Sequence, residues 1–437
     1  SWLGHSHVHT HERLPIHMHI GRICTIGICI KKRQESKGKA IRIMRIINNV
    51  PVWGEPLDNA VEQMAACAEE AEYVALMADH HLGYSVPIGG VLAYDNKVSP
   101  SAVGFDIACG NKAVRLDVDA QEVQARIGEI MNEIFAAISF GIGRKNTQLV
   151  AADLFAAAIW DEIPVAGKLK ELAESQLGTV GSGNHYVDVF VDGEGKVWLG
   201  VHFGSRGLGH KLATHFIKAG GGKDGMHVAP VLFDLDSELG QQYWACMELA
   251  GAYAYAGRDW VCDRVAGIIG GTIVDSVHNH HNFAWKERHY DRDLVVIRKG
   301  ATPCMPGQRS FVGGSMGDIS VIISGKESEE SASMLYSTVH GAGRVMSRTQ
   351  AAGRKRWRKG KLALQSEGEI SRQMMVQWID EFNGVELRGA GTDESPHVYK
   401  RLPEVLEFHC ETIEVEHRLM PIGVAMASDD EYDPFRD

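Results

Sequence analysis

Apolar residues recur at helical spacing in three stretches of the chain. Residues 55–71 place their apolar side chains on one stripe, which predicts a helix. Residues 120–138 (AQEVQARIGEIMNEIFAAI) predict a second helix. Residues 241–269 predict a third and much longer one. These helices are separated by stretches of a different period.

Strand-like apolar runs fill much of the remaining chain. Residues 73–94 read as strand, loop, strand, and residues 101–118 as a glycine-marked turn followed by a strand. Residues 196–207 (KVWLGVHFGSRG) predict a strand that runs into a glycine loop. From residue 294 onward, strands alternate with glycine loops. This mixture predicts an α/β fold of the mixed α+β kind, and neither an internal repeat nor a low-complexity linker divides it.

The first 40 residues differ from the rest. They hold six histidines, at positions 5, 7, 9, 11, 17 and 19. Alternating histidines on an extended strand can chelate a metal, and an expression-derived segment is an equally good explanation. We therefore treat residues 1–40 as an appendage outside the site, and residues 41–437 as one large domain.

Composition bounds the class of protein. The 437 residues are 44% hydrophobic and 23% charged, as in a soluble globular protein. No apolar run reaches the roughly 20 residues that a membrane helix needs. The eight cysteines are scattered singly without a CxxC pair, which favours reduced thiols and a cytoplasmic location without a membrane partner.

Charge leaves the question of nucleic acid open. The formal net charge is −11, which argues against a nucleic-acid partner because phosphate binding needs a basic surface. Residues 353–362 (GRKRWRKGKL), however, gather six basic side chains around Trp357. That segment is either a solvated face or a contact to an RNA backbone with an aromatic ring for stacking.

Metal-ligand residue types occur in four histidine- or cysteine-bearing motifs. The motifs are GFDIACG (104–110), GSGNHYVDVF (181–190), VHFGSRGLGH (201–210) and VHNHHNFAWKE (277–287). The candidate ligands are Asp106, Cys109, His185, His202 and His281. Carboxylate, thiolate and imidazole together suit a divalent transition metal. Each candidate stands beside glycine or asparagine, in a stretch too irregular for a plain core element, so we expect the chemistry here.

A fifth motif sets one histidine between small residues. His340 lies in STVHGAGRVMSRT (337–349), where glycines let a phosphate approach the backbone and Arg344 offers a two-pronged phosphate contact. A buried structural histidine is the alternative. Neither a Walker GxxxxGK[ST] motif nor a Rossmann GxGxxG motif in its strand-to-helix context is present. The loop GGSMG (313–317) instead offers backbone N–H groups to phosphate or guanine.

The order of these motifs resembles that of the RtcB family of RNA-splicing ligases. The likeness runs from MADHHLGYSVPIGGV (77–91) to PIGVAMASDDEYDPF (421–435) and includes RKGAT (298–302). The resemblance implies one large domain with a central metal-binding cleft. It also implies a GTP- and Mn²⁺-dependent ligase. Such an enzyme joins RNA 2′,3′-cyclic phosphate or 3′-phosphate ends to 5′-hydroxyl ends through a histidine–GMP intermediate.

The resemblance also implies two Mn²⁺ ions that share Cys109. One ion would be held by Asp106, Cys109 and His185, and the other by Cys109, His202 and His281. The family places the ligand directly before asparagine, which selects His281 over His278 and His280; those two would support the ligands from behind. His340 would be the residue that GTP guanylylates.

Nucleotide and phosphate contacts carry over from the family motifs position by position. The implied nucleotide-binding residues are Asn184, Asp188, Asn282, Gly314, Ser315, Met316, Gly341, Ala342, Gly343 and Tyr399. The implied phosphate or RNA contacts are Arg206, Lys299 and Arg344. Two departures concern the base: Asp188 replaces the usual glutamate, and Val424-Ala425-Met426-Ala427 stands where many members end in Val-Val-Lys-Gly. These departures put GTP selectivity in question.

Two other functions remain open at this point. A divergent relative that binds RNA ends or nucleotide without sealing would explain the unusual residues 1–40 and Asp188. A metal-dependent phosphatase or cyclic phosphodiesterase would use the same ions. Loss of His340 distinguishes them, because a hydrolase should survive it and a ligase should not. The sequence does not say whether a helper protein takes part.

Overall fold

The computed structural model describes residues 44–223, 225–358, 361–382 and 384–428. The predicted appendage, residues 1–40, lies outside the described residues, so that prediction stays untested. In the part of the chain that is described, no helix is long and apolar enough to cross a membrane.

The described chain contains twenty strands. They are β1 (Arg45–Ile47), β2 (Val50–Val52), β3 (Tyr73–His81), β4 (Ile88–Tyr94), β5 (Lys97–Val98), β6 (Gly110–Asp119), β7 (Tyr186–Asp192), β8 (Lys196–Phe203), β9 (Phe233–Asp234), β10 (Ile273–His280), β11 (Asn282–His289), β12 (Arg292–Lys299), β13 (Ala301–Pro303), β14 (Arg309–Val312), β15 (Ser320–Gly325), β16 (Ser337–Val339), β17 (Arg354–Arg358), β18 (Lys361–Ser366), β19 (Glu386–Arg388) and β20 (Ile413–Met426).

Thirteen α-helices accompany these strands in the same described residues. They are α1 (Asp58–Cys67), α2 (Pro100–Val103), α3 (Ala120–Ala125), α4 (Ile127–Ala137), α5 (Ile159–Glu162), α6 (Pro164–Gly167), α7 (Lys170–Gln176), α8 (Arg206–Ala219), α9 (Glu238–Ile269), α10 (Glu329–Ser333), α11 (Arg348–Ala352), α12 (Arg372–Phe382) and α13 (Leu402–Leu406). Single 3₁₀ turns form at Asp153–Ala156, Thr392–Glu394, Pro396–Val398 and Glu407–His409.

Two large sheets organise the domain. One has the order β1-β2-β3-β4-β12-β11, and the other the order β10-β6-β8-β7-β20-β15-β14 with β19 beside β20. Among the pairings of the described strands, only β2–β3 and β19–β20 are parallel. A dinucleotide-binding domain has a mostly parallel, doubly wound sheet. The predicted mixed α/β fold without a Rossmann or P-loop core is therefore confirmed.

The long helix α9 connects two parts of the hydrophobic core. Its N-terminal half, with Tyr243 and Met247, packs into the core that lines β4 and α8. Its C-terminal half, with Val261 and Val265, packs against β6, β7 and β8. Its first turn is capped because the Ser237 hydroxyl accepts from the backbone N–H of Gly240. The helix thus runs behind the strands that carry the candidate ligands.

Two local predictions are wrong. The helix predicted over 120–138 breaks at Arg126, where φ is −110° and ψ is 7°, and gives α3 and α4 instead. Asp119 caps α3 with its carboxylate, so a short separate helix is stabilised locally. The glycine loop predicted after β8 is also wrong, because helix α8 begins at Arg206, immediately after the short link Gly204–Ser205.

The basic segment folds as a hairpin. Strands β17 and β18 pair antiparallel, with Trp357 opposite Leu362. The side chains of residues 355–362 lie outside the description. Neither interpretation of this segment, solvated face or RNA contact, is therefore tested.

Candidate metal centre and active site

The candidate ligands converge at the same end of four neighbouring strands in the larger sheet. Strands β10, β6, β8 and β7 are neighbours there, and Gly110 pairs with both His280 and Phe203. His202 pairs with Tyr186 across the next interface. These pairs fix the register of the strands. The residues that follow or precede them, such as Cys109 and His281, are therefore brought to the same end of the sheet.

Cys109 lies at the centre of the cluster. Its Sγ is 3.2 Å from Nε2 of His202 and 3.5 Å from Nε2 of His185. Nε2 of His185 is also 3.1 Å from Oδ2 of Asp106. The rings of His202 and His281 meet edge to face, with centroids 5.1 Å apart.

Two groups of three side chains can each hold an ion. The members of each group place one ligand atom each within 4.8 Å of the others. The groups are Asp106, Cys109 and His185, and Cys109, His202 and His281. The structure thus brings together all five residues singled out from the sequence, with Cys109 common to both groups.

Backbone contacts hold the two ligand loops together. Ala108 adopts a left-handed conformation with φ of 61°, and its N–H donates to Asn282 O at 2.7 Å. His281 N donates to Cys109 O at 2.8 Å. A β-carbon at Gly204 would lie 2.2 Å from Oδ1 of Asp106, so this position must stay without a side chain to admit the carboxylate. These contacts join segments that are distant in the chain and come together only in the folded sheet.

Hydrogen bonds orient two of the imidazoles. Nδ1 of His202 lies 3.0 Å from Asn184 O, and Nδ1 of His185 lies 3.0 Å from Val180 O. A carbonyl only accepts, so Nδ1 of His202 carries the proton, and the lone pair of its Nε2 faces Cys109 in the tautomer that binds a metal. Nδ1 of His185 also lies within hydrogen-bond distance of the Arg206 guanidinium, which only donates.

The electrostatics of the cluster suit a cation. Burial lowers the pKa of His202 and His281 well below the ordinary value, so both imidazoles are neutral. Burial alone would raise the pKa of Asp106, but hydrogen bonding and charge from His185 lower it to about 2. Burial and the charge of Asp106 raise the pKa of Cys109 well above its ordinary value. A thiolate here therefore needs a bound cation.

These residues fit a divalent transition metal. Thiol, carboxylate and neutral imidazole form a mixed donor set of the kind that Mn²⁺, Fe²⁺, Co²⁺ or Zn²⁺ accepts. Nδ1 of His281 is buried and has no hydrogen-bond partner in the described part of the chain. A polar atom left in that state costs free energy unless a ligand reaches it. The donor set alone does not distinguish among these metals.

His340 lies directly beside the cluster. It follows β16, which pairs with β13, and its ring centroid is 4.9 Å from that of His281. On its other side, Nδ1 is 2.6 Å from Oδ2 of Asp79. The same carboxylate oxygen accepts from the backbone N–H groups of His340 and Gly341, at 3.0 and 3.2 Å. The histidine is thus held between Asp79 and the candidate metal ligands.

Asp79 was not identified from the sequence. It is fully buried on β3, yet burial is outweighed by the attraction of His340, so its pKa is lowered and the carboxylate stays ionised. An aspartate inside the apolar strand MADHH was the available signal, because a buried charge is rarely tolerated without a partner. Its partner is 261 residues away in the chain, which sequence spacing does not reveal.

The glycine loops and β7 form a second wall of the site. A β-carbon at Gly313 would lie 2.0 Å from Oη of Tyr186, and one at Gly341 would lie 3.3 Å from Gly313 O. The loops GGSMG and HGAGR therefore contact each other, and GGSMG also contacts Tyr186 on β7. Ser315, Met316, Ala342 and Gly343 belong to these two loops.

Asp188 lies on β7, two residues beyond Tyr186, so the two side chains share one face of the strand. Its carboxyl is buried, and Oδ1 has no hydrogen-bond partner among the described residues. Burial raises its pKa well above the ordinary value. Met426 on β20 pairs with Tyr186 and packs with Met316 in the same cluster. Both departures from the family pattern thus occupy one patch.

Several predicted contact residues already bond within the protein. The Asn282 amide accepts from Gly300 N at 2.7 Å and donates to Asp106 O at 3.3 Å. Gly314 N donates to Ser320 Oγ at 3.0 Å. Nζ of Lys299, a 5% exposed residue, donates to the carbonyl of Tyr84. These groups shape the walls of the site in this structure.

A cluster of charged groups lies beyond His340. Nη1 of Arg344 is 3.1 Å from Oη of Tyr399 and 3.4 Å from the Glu394 carboxylate. Arg348, which was not identified from the sequence, also pairs with Glu394. Arg206 contacts a candidate metal ligand directly, with Nη1 3.0 Å from Nδ1 of His185.

The other two histidines of the VHNHHN motif point away from the candidate ligands. Nε2 of His278 and Nδ1 of His280 both accept hydrogen bonds from Arg258, at 2.8 and 2.9 Å. Within the motif, only His281 joins the cluster.

Comparison with known proteins finds relatives that share most of the chain. The chain is 29% identical over 383 residues to the RNA-splicing ligase RtcB of Escherichia coli K12, covering 80% of this chain and 89% of that protein. It is 31% identical over 457 residues to the tRNA-splicing ligase RtcB of Thermococcus kodakarensis, covering 84% and 91%. It is 31% identical over 425 residues to the RNA-splicing ligase RtcB of Mycobacterium bovis, covering 79% and 95%. Residues 60–427 match the family model described as tRNA-splicing ligase RtcB. With that match over most of its length, the chain belongs to the RtcB family.

Proposed function

We propose that this protein is an RNA ligase that uses GTP and two Mn²⁺ ions. It joins RNA ends bearing a 2′,3′-cyclic phosphate or a 3′-phosphate to ends bearing a 5′-hydroxyl. The observation that carries this proposal is the position of His340, which contacts His281 on one side and Asp79 on the other. In a metal-dependent hydrolase such a histidine would serve only as a general acid or base, whereas the ligase needs it as the nucleophile that carries GMP.

The first step is nucleophilic attack by His340 on the α-phosphorus of GTP. Because Asp79 lies against Nδ1, the proton stays on that nitrogen and the lone pair of Nε2 is available. A bond forms between Nε2 and phosphorus, and the bond to pyrophosphate breaks. The bound ions, held by the two ligand groups, would neutralise charge on the phosphate oxygens.

Two further transfers complete the reaction. A 2′,3′-cyclic phosphate end is first opened by water, which breaks the bond from phosphorus to the 2′-oxygen and gives a 3′-phosphate and a 2′-hydroxyl. An oxygen of the RNA 3′-phosphate then attacks the histidine-bound phosphorus, which frees His340 and leaves GMP on the RNA. The oxygen of the 5′-hydroxyl then attacks the 3′-phosphate, loses its proton and expels GMP. Throughout, the hydrogen bond to Asn184 keeps His202 in the metal-binding tautomer.

The experiment that tests this proposal is sealing of two RNA strands. One strand carries a 2′,3′-cyclic phosphate and the other a 5′-hydroxyl, in the presence of GTP and Mn²⁺. Joining that requires both additives supports the ligase. Removal of the phosphate without joining would favour the metal-dependent hydrolase.

Asp79→Asn should slow the formation of the histidine–GMP adduct. The amide lacks the charge that fixes the proton on Nδ1, and loss of an orienting carboxylate beside a catalytic histidine costs up to about 10⁴-fold in rate in other enzymes. We expect a loss of about 10²–10⁴-fold. The measurement is the rate of label transfer from GTP labelled at the α-phosphate.

Metal binding should be unchanged in the Asp79→Asn variant, because Asp79 belongs to neither ligand group. Asp318→Asn is a matched control, since Asp318 is a buried carboxylate that pairs with Arg401 instead. An Asp79→Asn protein that labels at the wild-type rate would show that Asp79 does not orient His340.

Base selectivity should be weaker than in family members with glutamate and lysine at the corresponding positions. Asp188 is one methylene shorter than glutamate, and Met426 supplies packing but no donor. A hydrogen bond involving a charged group contributes about 1.5–3 kcal/mol, which corresponds to roughly ten- to a hundredfold in affinity. We therefore expect GTP and ATP to be discriminated less by about that factor, with phosphate and metal contacts intact.

Adduct yields with GTP and ATP, measured side by side, test this expectation. The double variant Asp188→Glu with Met426→Lys restores the family pattern and should raise the preference for GTP. A strong GTP preference in the unaltered protein would show that another group contacts the base.

A further inference from the structure

Arg258 is a fully buried arginine in the middle of α9, behind the candidate metal ligands. All three nitrogens of its guanidinium donate hydrogen bonds. Nη1 donates to the carbonyls of Ala108 and Phe203, at 3.1 and 2.5 Å. Nε and Nη2 donate to His278 and His280, at 2.8 and 2.9 Å. Among the described residues, no carboxylate forms an ion pair with it.

Three of the four acceptors of Arg258 directly adjoin a candidate metal ligand in the chain. Ala108 directly precedes Cys109, Phe203 directly follows His202, and His280 directly precedes His281. One guanidinium therefore holds a neighbour of every member of one ligand group, Cys109, His202 and His281. None of these bonds reaches a residue next to His185. The two groups of ligands are thus supported differently.

The surroundings of Arg258 keep its acceptors in place. Tyr255, one turn earlier on α9, stacks on His280 with ring centroids 3.9 Å apart and lies 5.3 Å from the Arg258 guanidinium carbon. Burial lowers the pKa of both His278 and His280 well below the ordinary value. Neutral imidazoles can accept from the guanidinium, whereas protonated ones could not.

A second buried arginine shows what a purely structural role looks like. Arg298 is also fully buried, but Glu287 accepts from it twice, at 2.7 and 3.0 Å, and neutralises its charge. Arg258 has no such partner, so its burial is expensive in free energy. The rigid fork of a guanidinium can hold several acceptors at fixed angles, which a lysine cannot do.

We propose that Arg258 is a positioning residue chiefly for the ion held by Cys109, His202 and His281, because it reaches the ligands of the other ion only beside the shared Cys109. Arg258 fixes the spacing of the three backbone segments that carry Cys109, His202 and His281. This inference rests on the proposed metal centre and goes beyond it, because it makes the two ions unequally dependent on one residue that touches neither.

Metal titration of the full chain tests the proposal. The proteins are the wild type, Arg258→Gln, Arg258→Lys and, as a matched buried control, Arg298→Lys. Calorimetry with Mn²⁺ gives the affinity of each site, Co²⁺ absorption reports the thiolate and ligand geometry, and thermal unfolding without metal reports stability. Arg258→Lys retains the positive charge, so it separates charge from hydrogen-bond geometry and provides a second variant if Arg258→Gln does not fold.

The wild type should bind two ions. Both Arg258 variants should bind the ion at Cys109, His202 and His281 about 10–100-fold more weakly, as when a supporting hydrogen-bond partner is removed, and should weaken the other ion by a smaller factor. Their Co²⁺ spectrum should keep one of its two components. Arg298→Lys should lose thermal stability and keep both sites.

Unchanged affinities in the Arg258 variants would overturn the inference while leaving the metal centre intact. Equal weakening of both sites, in proportion to lost thermal stability, would assign Arg258 a structural role only. A wild-type protein that binds no pair of ions would overturn the metal centre of the proposed function, and this inference with it.

Discussion

His340→Ala should form no covalent adduct with GMP. In the proposed reaction the α-phosphorus bonds to Nε2 of His340, and an alanine offers no nucleophile. The side chain lies against Asp79 and His281, so the substitution removes the reacting atom without removing a candidate metal ligand. Gel analysis after incubation with Mn²⁺ and GTP labelled at the α-phosphate measures the adduct. In the wild type the label should be released by acid, as expected for a phosphorus–nitrogen bond.

His215→Ala provides the matched control, because His215 is an exposed histidine on α8. It should label like the wild type. Mn²⁺ binding by His340→Ala should also match the wild type. An adduct of equal yield in His340→Ala would place the nucleophile at another residue. RNA dephosphorylation that survives the substitution would instead favour the hydrolase.

Cys109→Ala should lose both metal ions together. Its Sγ is the one ligand atom common to both groups, and the remaining two members of each group cannot hold an ion as tightly as three. The expected loss at each site exceeds the roughly 10–100-fold cost of removing a supporting residue. His185→Ala and His202→Ala should each weaken mainly one site. Calorimetry with Mn²⁺ measures both affinities.

Cys246→Ala is the control for loss of a buried cysteine. Cys246 is fully buried in the core that α9 shares with α8, so its substitution should leave both metal sites unchanged. Retention of one ion at full affinity in Cys109→Ala would contradict the shared-ligand arrangement.

Local patterns predicted the elements that depend on local forces. The apolar stripe of residues 241–269 is part of α9, which extends three residues further toward the N-terminus. The boundary at Arg126 and the start of α8 at Arg206 were not predicted. The boundary at Arg126 leaves a short helix that Asp119 caps locally. The start of α8 depends on a partner outside its own segment, because the N–H of Gly207 donates to Gln176 Oε1. The spacing of apolar residues along the chain does not reveal these contacts.

In the candidate site, too, some residues could be identified from local sequence and others only from contacts across the fold. Residue type and motif were sufficient to select the five ligands that the structure brings together, because thiol, carboxylate and imidazole side chains grouped in such motifs are unusual in a core. Asp79 and Arg258 were missed because their function depends on contacts across the fold, with His340 and with the carbonyls beside Cys109 and His202. The internal bonds of Asn282 and Lys299 were missed for the same reason.

A pulse-chase experiment with the wild-type protein tests the central claim most directly. The protein is first incubated with Mn²⁺ and GTP labelled at the α-phosphate, and unbound GTP is removed. RNA strands with a 3′-phosphate and a 5′-hydroxyl are then added, and protein, RNA and free nucleotide are followed in time. We predict that label leaves the protein, passes transiently to the 3′-phosphate strand and ends as free GMP while the strands become joined. A protein that never acquires the label, or joined strands formed while the label stays on the protein, would contradict the account.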